Sequence, residues 1–171
     1  MVKDIAIRRI QMNIKKIITI FSIIGVILLL SQQSKLMIYT TDTANKKILV
    51  HSTISIMKVL PMDKKLNHLA SKLSHNLFQD KSIVFLGIKT EDGKEVAYFD
   101  LEDKNKDSTK SWYPFFQGSS GADSTLNSIK ETLLQREYKG DWIDGIRITY
   151  NGSYTELDHI TFEDRVFWRN N

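Results

Sequence analysis

Residues 17–30 form the longest uninterrupted apolar stretch of the chain. Its fourteen residues carry no charge, and no polar face recurs at helical spacing, so the pattern predicts a helix that is apolar all round. Fourteen residues are few for a bilayer span. Extended back to Ile14, with the stems of Lys15 and Lys16 reaching the interface, the helix covers about 27 Å, close to the hydrocarbon thickness. We predict a basic arm at 1–16 and a transmembrane signal-anchor helix at 17–31.

Two other interpretations of this stretch remain open. A cleaved signal peptide has the same basic and apolar regions, but the residues after Leu30 lack a good small-residue cleavage site. A buried core helix of a cytosolic protein would also be apolar at this length. For an anchor or a signal, the basic arm stays inside and the chain after Ser31 is exported. We therefore predict a single-pass membrane protein with its C-terminal part outside, or a secreted protein if cleavage occurs.

Two later segments show helical periodicity. The first covers residues 62–78, and the second begins at Asp123 or Ser124 and ends near Gln135. Each places apolar residues at spacings of three and four, which makes one buried stripe. The stripes are Leu66, Leu69, Ala70, Leu73 and Leu77 in the first helix, and Leu126, Ile129, Leu133 and Leu134 in the second.

β-branched and alternating segments predict strands at 48–60, 82–88, 95–101, 146–150 and 154–160. Turn residues around Gly93 join one pair into a hairpin, and Asn151 with Gly152 joins another. The apolar tail predicts a last short strand. Residues 32–47 show no sustained period, which indicates a linker. We predict that residues 48–171 form an α+β domain with a mainly antiparallel sheet and two helices on one face.

The formal net charge of +4 is concentrated in the basic arm. Residues 1–16 contain five basic residues and one acid, whereas the remaining residues carry 19 of each sign. A nucleic-acid-binding protein would show a basic face on its folded domain, so we expect no nucleic-acid partner. The chain has no cysteine, which excludes disulfides, Cys-ligated metals, thiol catalysis and a lipoprotein anchor. An exported protein without cysteine suits a Gram-positive cell surface.

The sequence offers weak candidates for catalysis. The segment 118–121, with Ser119 and Ser120 between two glycines, precedes a helix and could cradle an anion, but a tight turn is the simpler explanation. Its spacing matches neither a nucleophile elbow nor a P-loop. A triad with His159 is conceivable only because any chain of this size contains such residues.

The histidines and carboxylates also have explanations that involve neither metal binding nor catalysis. His68 and His75 are seven residues apart, whereas helical metal pairs are three or four apart. Asp141, Asp144 and Asp158 flank turns, where aspartate has a structural role. We predict no catalytic residue, no cofactor and no metal site, and hence no enzymatic activity.

Aromatic residues make the most promising candidate surface. Rings of this kind form a core, a sugar-binding groove or a protein interface. The predicted interaction surface comprises Trp112, Tyr113, Phe115, Phe116, Gly118, Gly121 and Trp142, with Trp168 as a further aromatic.

The run FFQGSSGADSTLNSIKETLLQREYKGDWIDGIRITYNG, followed by LDHI at 157–160, resembles the distal half of the GerMN domain of germination and sporulation proteins. The shared pattern is a glycine-rich turn, a helix ending in two leucines and a hairpin with Asn-Gly. With residues 62–101 as the preceding helix and hairpin, the resemblance covers roughly residues 62–160. This chain has a single copy, and an N-terminal helix where many relatives carry a lipoprotein cysteine. The resemblance implies a membrane-tethered envelope domain that acts by protein contacts.

Three hypotheses follow. The first is a non-enzymatic, membrane-anchored envelope protein that binds envelope proteins or itself, in sporulation or germination. The second is an extracytoplasmic ligand- or glycan-binding domain that uses the same aromatic residues. The third is a cell-wall hydrolase, for which the sequence shows no suitable spacing of acids and histidines.

Overall fold

The computed structural model describes residues 15–22, 25, 32–103, 111–157 and 159–170. Residues 15–22 are helical, and their apolar side chains, among them Ile17 and Phe21, are exposed. The rest of the predicted anchor, at 23–24 and 26–31, lies outside the described residues. None of the helices described is both long and apolar enough to cross a membrane.

The chain divides into two compact units, and residues 35–56 with 60–171 make up the larger one. In chain order the strands are β1 (Gln33–Thr41), β2 (Ile48–Met57), β3 (Ser82–Glu91), β4 (Lys94–Glu102), β5 (Gly145–Tyr150), β6 (Glu156–Leu157), β7 (Ile160–Thr161) and β8 (Phe167–Trp168). The helices are α1 (Met62–Leu77) and α2 (Ser119–Leu134), with a short 3-10 helix at Tyr113–Phe116.

The central sheet has the strand order β3-β4-β5-β8. β3 and β4 form the predicted antiparallel hairpin, in which Asp92 and Gly93 both adopt positive φ angles, as its tight turn requires. β4 and β5 are parallel, because the 3-10 helix and α2 carry the chain back to the same end of the sheet. β8 pairs antiparallel with β5. The predicted last short strand is therefore confirmed.

The predicted second hairpin, 146–150 with 154–160, is wrong. Asn151 and Gly152 do make a tight turn, but among the described residues a single bridge, Tyr150 to Ser153, continues beyond it. The remaining residues form a separate ribbon of β6 and β7. The edge of β5 is occupied instead by β8, whose Trp168 lies opposite Gly145. A side chain at position 145 would collide with Val166 and Trp168, so the glycine makes this alternative pairing possible.

The predicted linker at 32–47 is also wrong, because it contains β1. Leu36 and Ile38 on this strand are completely buried. Sequence periodicity misses the strand because apolar side chains are buried on both of its faces, which removes the alternation of a half-buried strand. The larger unit accordingly begins at residue 35 and not at 48.

Helix α2 covers one edge of β1 through side-chain hydrogen bonds. Polar residues of the helix, with Gln135 directly after its last residue, supply one partner to each of three alternate residues in the second half of the strand, as a neighbouring strand would. The pairs are Ser128 with Thr41 (3.0 Å), Thr132 with Tyr39 (2.8 Å) and Gln135 with Met37 (2.9 Å). The other edge of β1 pairs with β2. In the part of the chain that the structure describes, no strand pairs with the second edge of β2.

Both predicted helices are present. α1 matches its predicted range, and Asp63 lies in its first turn without a side-chain cap bond. α2 begins earlier than predicted, at Ser119 and not at Asp123 or Ser124. Gly118, at a φ of 70°, turns the chain into the helix, so Gly121 belongs to the first turn and not to a loop.

One hydrophobic core joins the two helices, the β1–β2 hairpin and the central sheet. Alternate residues of β4, among them Phe99, face this core, and so do Ile146 and Ile148 of β5. The apolar stripes predicted for the two helices supply the side of the core opposite the sheet, and they include Leu69 and Leu133. The predicted α+β class with a mainly antiparallel sheet and helices is confirmed.

Candidate functional site

Most of the predicted aromatic surface lies inside the protein. Trp112 and Phe116 are buried and stack with their ring centroids 6.0 Å apart. The indole N–H of Trp112 donates to the carbonyl of Ser82 at 3.0 Å. Trp142 is also buried, and its indole N–H donates to the carbonyl of Leu133 at 2.8 Å. These three rings hold the domain together and offer little surface to a partner.

The exposed part of the predicted surface is small. The side chain of Tyr113 is half exposed, at 50%. Phe115 is partly buried against Phe78, with ring centroids 5.4 Å apart. Gly118 and Gly121 lie at the beginning of α2. Sequence reasoning therefore did not distinguish the buried rings of this region from the exposed ones.

An uncharged cleft opens beside Phe115, between the β1–β2 turn, the end of α1 and the first turns of α2. We call it the hydroxyl cleft. Its volume is about 310 Å³, and Pro114 and Gln117 complete the wall near Phe115. Half of its twelve lining residues carry hydroxyl groups, namely Thr40, Thr41, Thr43, Ser124, Thr125 and Ser128. Charged residues make up 26% of the chain, yet none of those that the structure describes lines this cleft.

A second cleft, of about 430 Å³, lies on the other flank of α2 and is strongly polar. It is lined by residues of both signs, among them Asp123, Lys130, Glu156 and Arg165. Lys130 and Arg165 lie over the same ring, with the charged groups 4.9 Å and 4.8 Å from the centre of Phe167. Burial, and then the neighbouring positive charge of Arg165, lower the pKa of Lys130. We call this the mixed-charge cleft.

The mixed-charge cleft contains the serine and the histidine of the conceivable catalytic triad, but not in a catalytic arrangement. Ser119 and His159 both line it, but no hydrogen bond joins them among the described residues, and Asp158 lies outside those residues. Ser119 is in the first turn of α2 and His159 is exposed between β6 and β7. A serine nucleophile needs its base within hydrogen-bonding reach, so this arrangement gives no support to nucleophilic catalysis.

The other candidate acids and histidines have structural roles or isolated positions. The Asp144 carboxylate accepts a hydrogen bond from the backbone N–H of Glu95 at 2.8 Å, which ties β4 to the start of β5. His75 contacts Asp80 at 2.9 Å on the surface. Throughout the described ranges, no group of three or more acids and histidines is placed to hold a metal ion.

A charged cluster on the face of the sheet opposite the helices was missed by sequence reasoning. Arg147 donates two parallel hydrogen bonds to Glu91, at 2.9 Å and 2.7 Å, and a third to Asp164. Tyr98 also donates to Glu91. The hydrogen bonds from Arg147 and then Tyr98 lower the pKa of Glu91 from 4.5 to about 2. Glu91 and Arg147 are 56 residues apart, so no local pattern links them.

The most unusual surface is the free edge of β2. Ile48, Leu49 and Val50 are exposed, and the side chain of Val50 retains 52% of its accessible area. No charged residue occurs between Ile48 and Met57. Edge strands of soluble proteins are normally protected by lysine, proline or a bulge, since unpaired backbone groups invite another strand. The sequence predicted this strand but not its position at an edge, which depends on the placement of β1.

The other long edge strand provides a contrast. β3 contains Lys89 and Glu91, and its register shifts between Phe85 and Gly87. Both features discourage edge-to-edge pairing. The candidate functional surfaces are therefore the free edge of β2 and the two clefts. Comparison of the chain with protein-family models, with curated proteins and with solved structures gives no significant match.

Proposed function

We propose that the chain is a non-enzymatic, membrane-anchored envelope protein whose α+β domain works outside the membrane through contacts with proteins, including further copies of itself. The observation that carries this proposal is the free edge of β2, which is ten residues long, contains no acidic or basic side chain apart from His51, and exposes the apolar residues Ile48, Leu49 and Val50. Such an edge gains backbone hydrogen bonds by adding a strand from a partner.

The anchor and its orientation belong to the same proposal. The apolar stretch at 17–30 follows a basic arm, and this asymmetry favours an N-terminus inside the cell. The GerMN-like pattern at 115–160 is the reason for placing the role in sporulation or germination. That placement rests on the order of turns, helices and strands in the sequence alone.

Labelling of single cysteines tests the location, because the natural chain has no cysteine to interfere. We expect Tyr113→Cys, at a half-exposed position, to react with a membrane-impermeant maleimide on intact Gram-positive cells. Met12→Cys, in the basic arm, serves as the matched control and should react only after lysis. Reaction of Tyr113→Cys only after lysis would overturn the extracytoplasmic assignment. The mass of the mature protein separates a retained anchor from a cleaved signal.

A charged substitution on the free edge of β2 tests whether this edge is the contact surface. Val50→Lys should weaken association of the full chain in detergent, measured by sedimentation at several concentrations. Leu86→Lys is the matched control, because Leu86 is an equally exposed apolar residue, at 57%, on the edge strand β3. Equal loss from both variants would show that the effect is not specific to β2.

The hydroxyl cleft supports a second candidate function, the binding of a neutral saccharide. Sugars bind through hydrogen bonds to hydroxyl and amide groups and through contact with an aromatic ring. The cleft offers Thr43 and Gln117 at its exposed rim and Phe115 in its wall. An uncharged N-acetylglucosamine tetramer should raise the melting temperature of the full chain, and Gln117→Ala should reduce that shift. No shift at millimolar tetramer would remove this candidate.

A further inference from the structure

The apolar pattern of β2 is nearly symmetric about Ser52. Ile48, Val50, Ile54 and Ile56 share the strand face of Ser52, since alternate residues lie on one side of a strand. Reversing the strand about Ser52 places Ile48 opposite Ile56 and Val50 opposite Ile54. We propose that β2 pairs antiparallel with β2 of a second copy, with the two-fold axis at Ser52. This proposal rests on the proposed function and names its partner.

Geometry favours this register over its neighbours. An antiparallel pair related by a two-fold axis keeps the same face inward in both copies, so residues that oppose each other come from the same face. Only registers centred on a residue meet this condition. The register centred on Ser52 makes two pairs of β-branched residues on the strand face of Ser52, and each pair joins an exposed residue to one that contacts the core. Cross-strand pairs of this kind stabilise a sheet. A continuous four-stranded sheet, β1-β2-β2-β1, would result.

The side chain of Ser52 gives an independent reason for this centre. Its hydroxyl oxygen is buried and has no hydrogen-bond partner among the described residues. Buried polar groups are normally satisfied. In the proposed dimer the two Ser52 side chains lie opposite each other across the axis. In the single copy each oxygen is covered by its own chain, so each hydroxyl must turn towards the axis on pairing. Each then has the other as its partner, one donating and one accepting.

Charge also favours a second copy as the occupant. The ten residues of β2 contain no lysine, arginine, aspartate or glutamate, so identical strands meet without like-charge repulsion. Residues 17–171 carry equal numbers of acidic and basic residues, 19 of each. A protein part with no net charge does not resist association with itself. A membrane anchor would also confine both copies to one surface and raise their effective concentration.

Disulfide trapping of the full chain in detergent tests the register. Ser52→Cys should give a covalent dimer under mild oxidation, because opposing residues of an antiparallel pair lie about 4.5–5.5 Å apart, within the range of a disulfide. Ser55→Cys is the matched control on the same strand. In this register Ser55 opposes Leu49, which places the two Ser55 residues roughly 20 Å apart. We expect at least tenfold less dimer from Ser55→Cys.

A second measurement does not depend on the cysteine variants. The unmodified chain should sediment as a dimer, and Val50→Lys should shift its dissociation constant upward by tenfold or more while Leu86→Lys leaves it unchanged. Equal cross-linking at positions 52 and 55, or a monomer at all concentrations, would overturn the pairing. If association persists without a cross-link at position 52, the β2 pairing fails and the envelope role remains. If the dimer forms but Tyr113→Cys labels only after lysis, the dimer remains and the envelope role fails.

Discussion

Thr132 and Tyr39 exchange two hydrogen bonds between a helix and a strand. The backbone N–H of Tyr39 donates to the Thr132 hydroxyl at 2.8 Å, and that hydroxyl lies 3.3 Å from the Tyr39 carbonyl, to which it donates. Ser128 and Gln135 continue the same contact on either side, so α2 substitutes for a missing neighbouring strand. This arrangement protects one edge of the β1–β2 hairpin, whereas no described strand pairs with the other edge.

Thr132→Val should destabilise the domain by about 1–3 kcal/mol, because a buried backbone N–H loses its acceptor while the side-chain shape is kept. Urea unfolding of the full chain in detergent, followed by the fluorescence of its buried tryptophans, measures this loss. Thr132→Ser keeps the hydroxyl and should cost less. If Val and Ser cost the same, the packing of the methyl group and not the hydrogen bonds would hold the strand.

Trp112→Ala should destabilise the domain by about 3–5 kcal/mol, since it empties a completely buried site next to Phe78 and Phe116. Tyr113→Ala changes the neighbouring half-exposed ring and should change stability far less. Urea midpoints of the two variants give the comparison. A small effect of Trp112→Ala would contradict the assignment of this ring to the core.

Gly145→Ala should destabilise the domain by about 1–3 kcal/mol. An added Cβ would lie 2.5 Å from Val166 Cγ1 and 2.9 Å from Trp168 Cε3, so β8 would have to move away from β5. Gly121→Ala is the matched control, because a Cβ there meets no atom within 4 Å and alanine favours the helix. In thermal unfolding, Gly145→Ala should therefore lower the melting temperature, whereas Gly121→Ala should raise it.

The Glu91–Arg147 pair should make stability depend on acidity. The folded-state pKa of Glu91 is lowered from 4.5 to about 2 by its hydrogen bonds, chiefly from Arg147. The carboxylate therefore contributes stability that is fully present above pH 4.5 and is lost as the pH falls towards 2. Glu91→Gln should flatten this part of the profile, measured as urea midpoints between pH 6 and 3. The exposed Glu137→Gln should keep the wild-type profile, and an identical slope in both variants would contradict the assignment.

Local sequence patterns determined much of the fold. The stripes of α1 and α2, the β3–β4 hairpin and the last strand follow from spacing and turn residues that act within a few positions. The absence of cysteine and the placement of charge likewise limit the chemistry directly. Residues 48–57 of the sequence also show directly that β2 is rich in β-branched residues and contains no Lys, Arg, Asp or Glu.

Tertiary structure decided the remaining features, because each depends on residues far apart in the chain. The strand β1 is recognised only through its contacts with Ser128, Thr132 and Gln135, more than 85 residues away. Long-range packing also decided that β8 and not the Asn151–Gly152 hairpin covers β5, and that Trp112 is buried while Tyr113 is exposed. Spacing describes the face of one element, whereas burial and edge position depend on which other elements cover it.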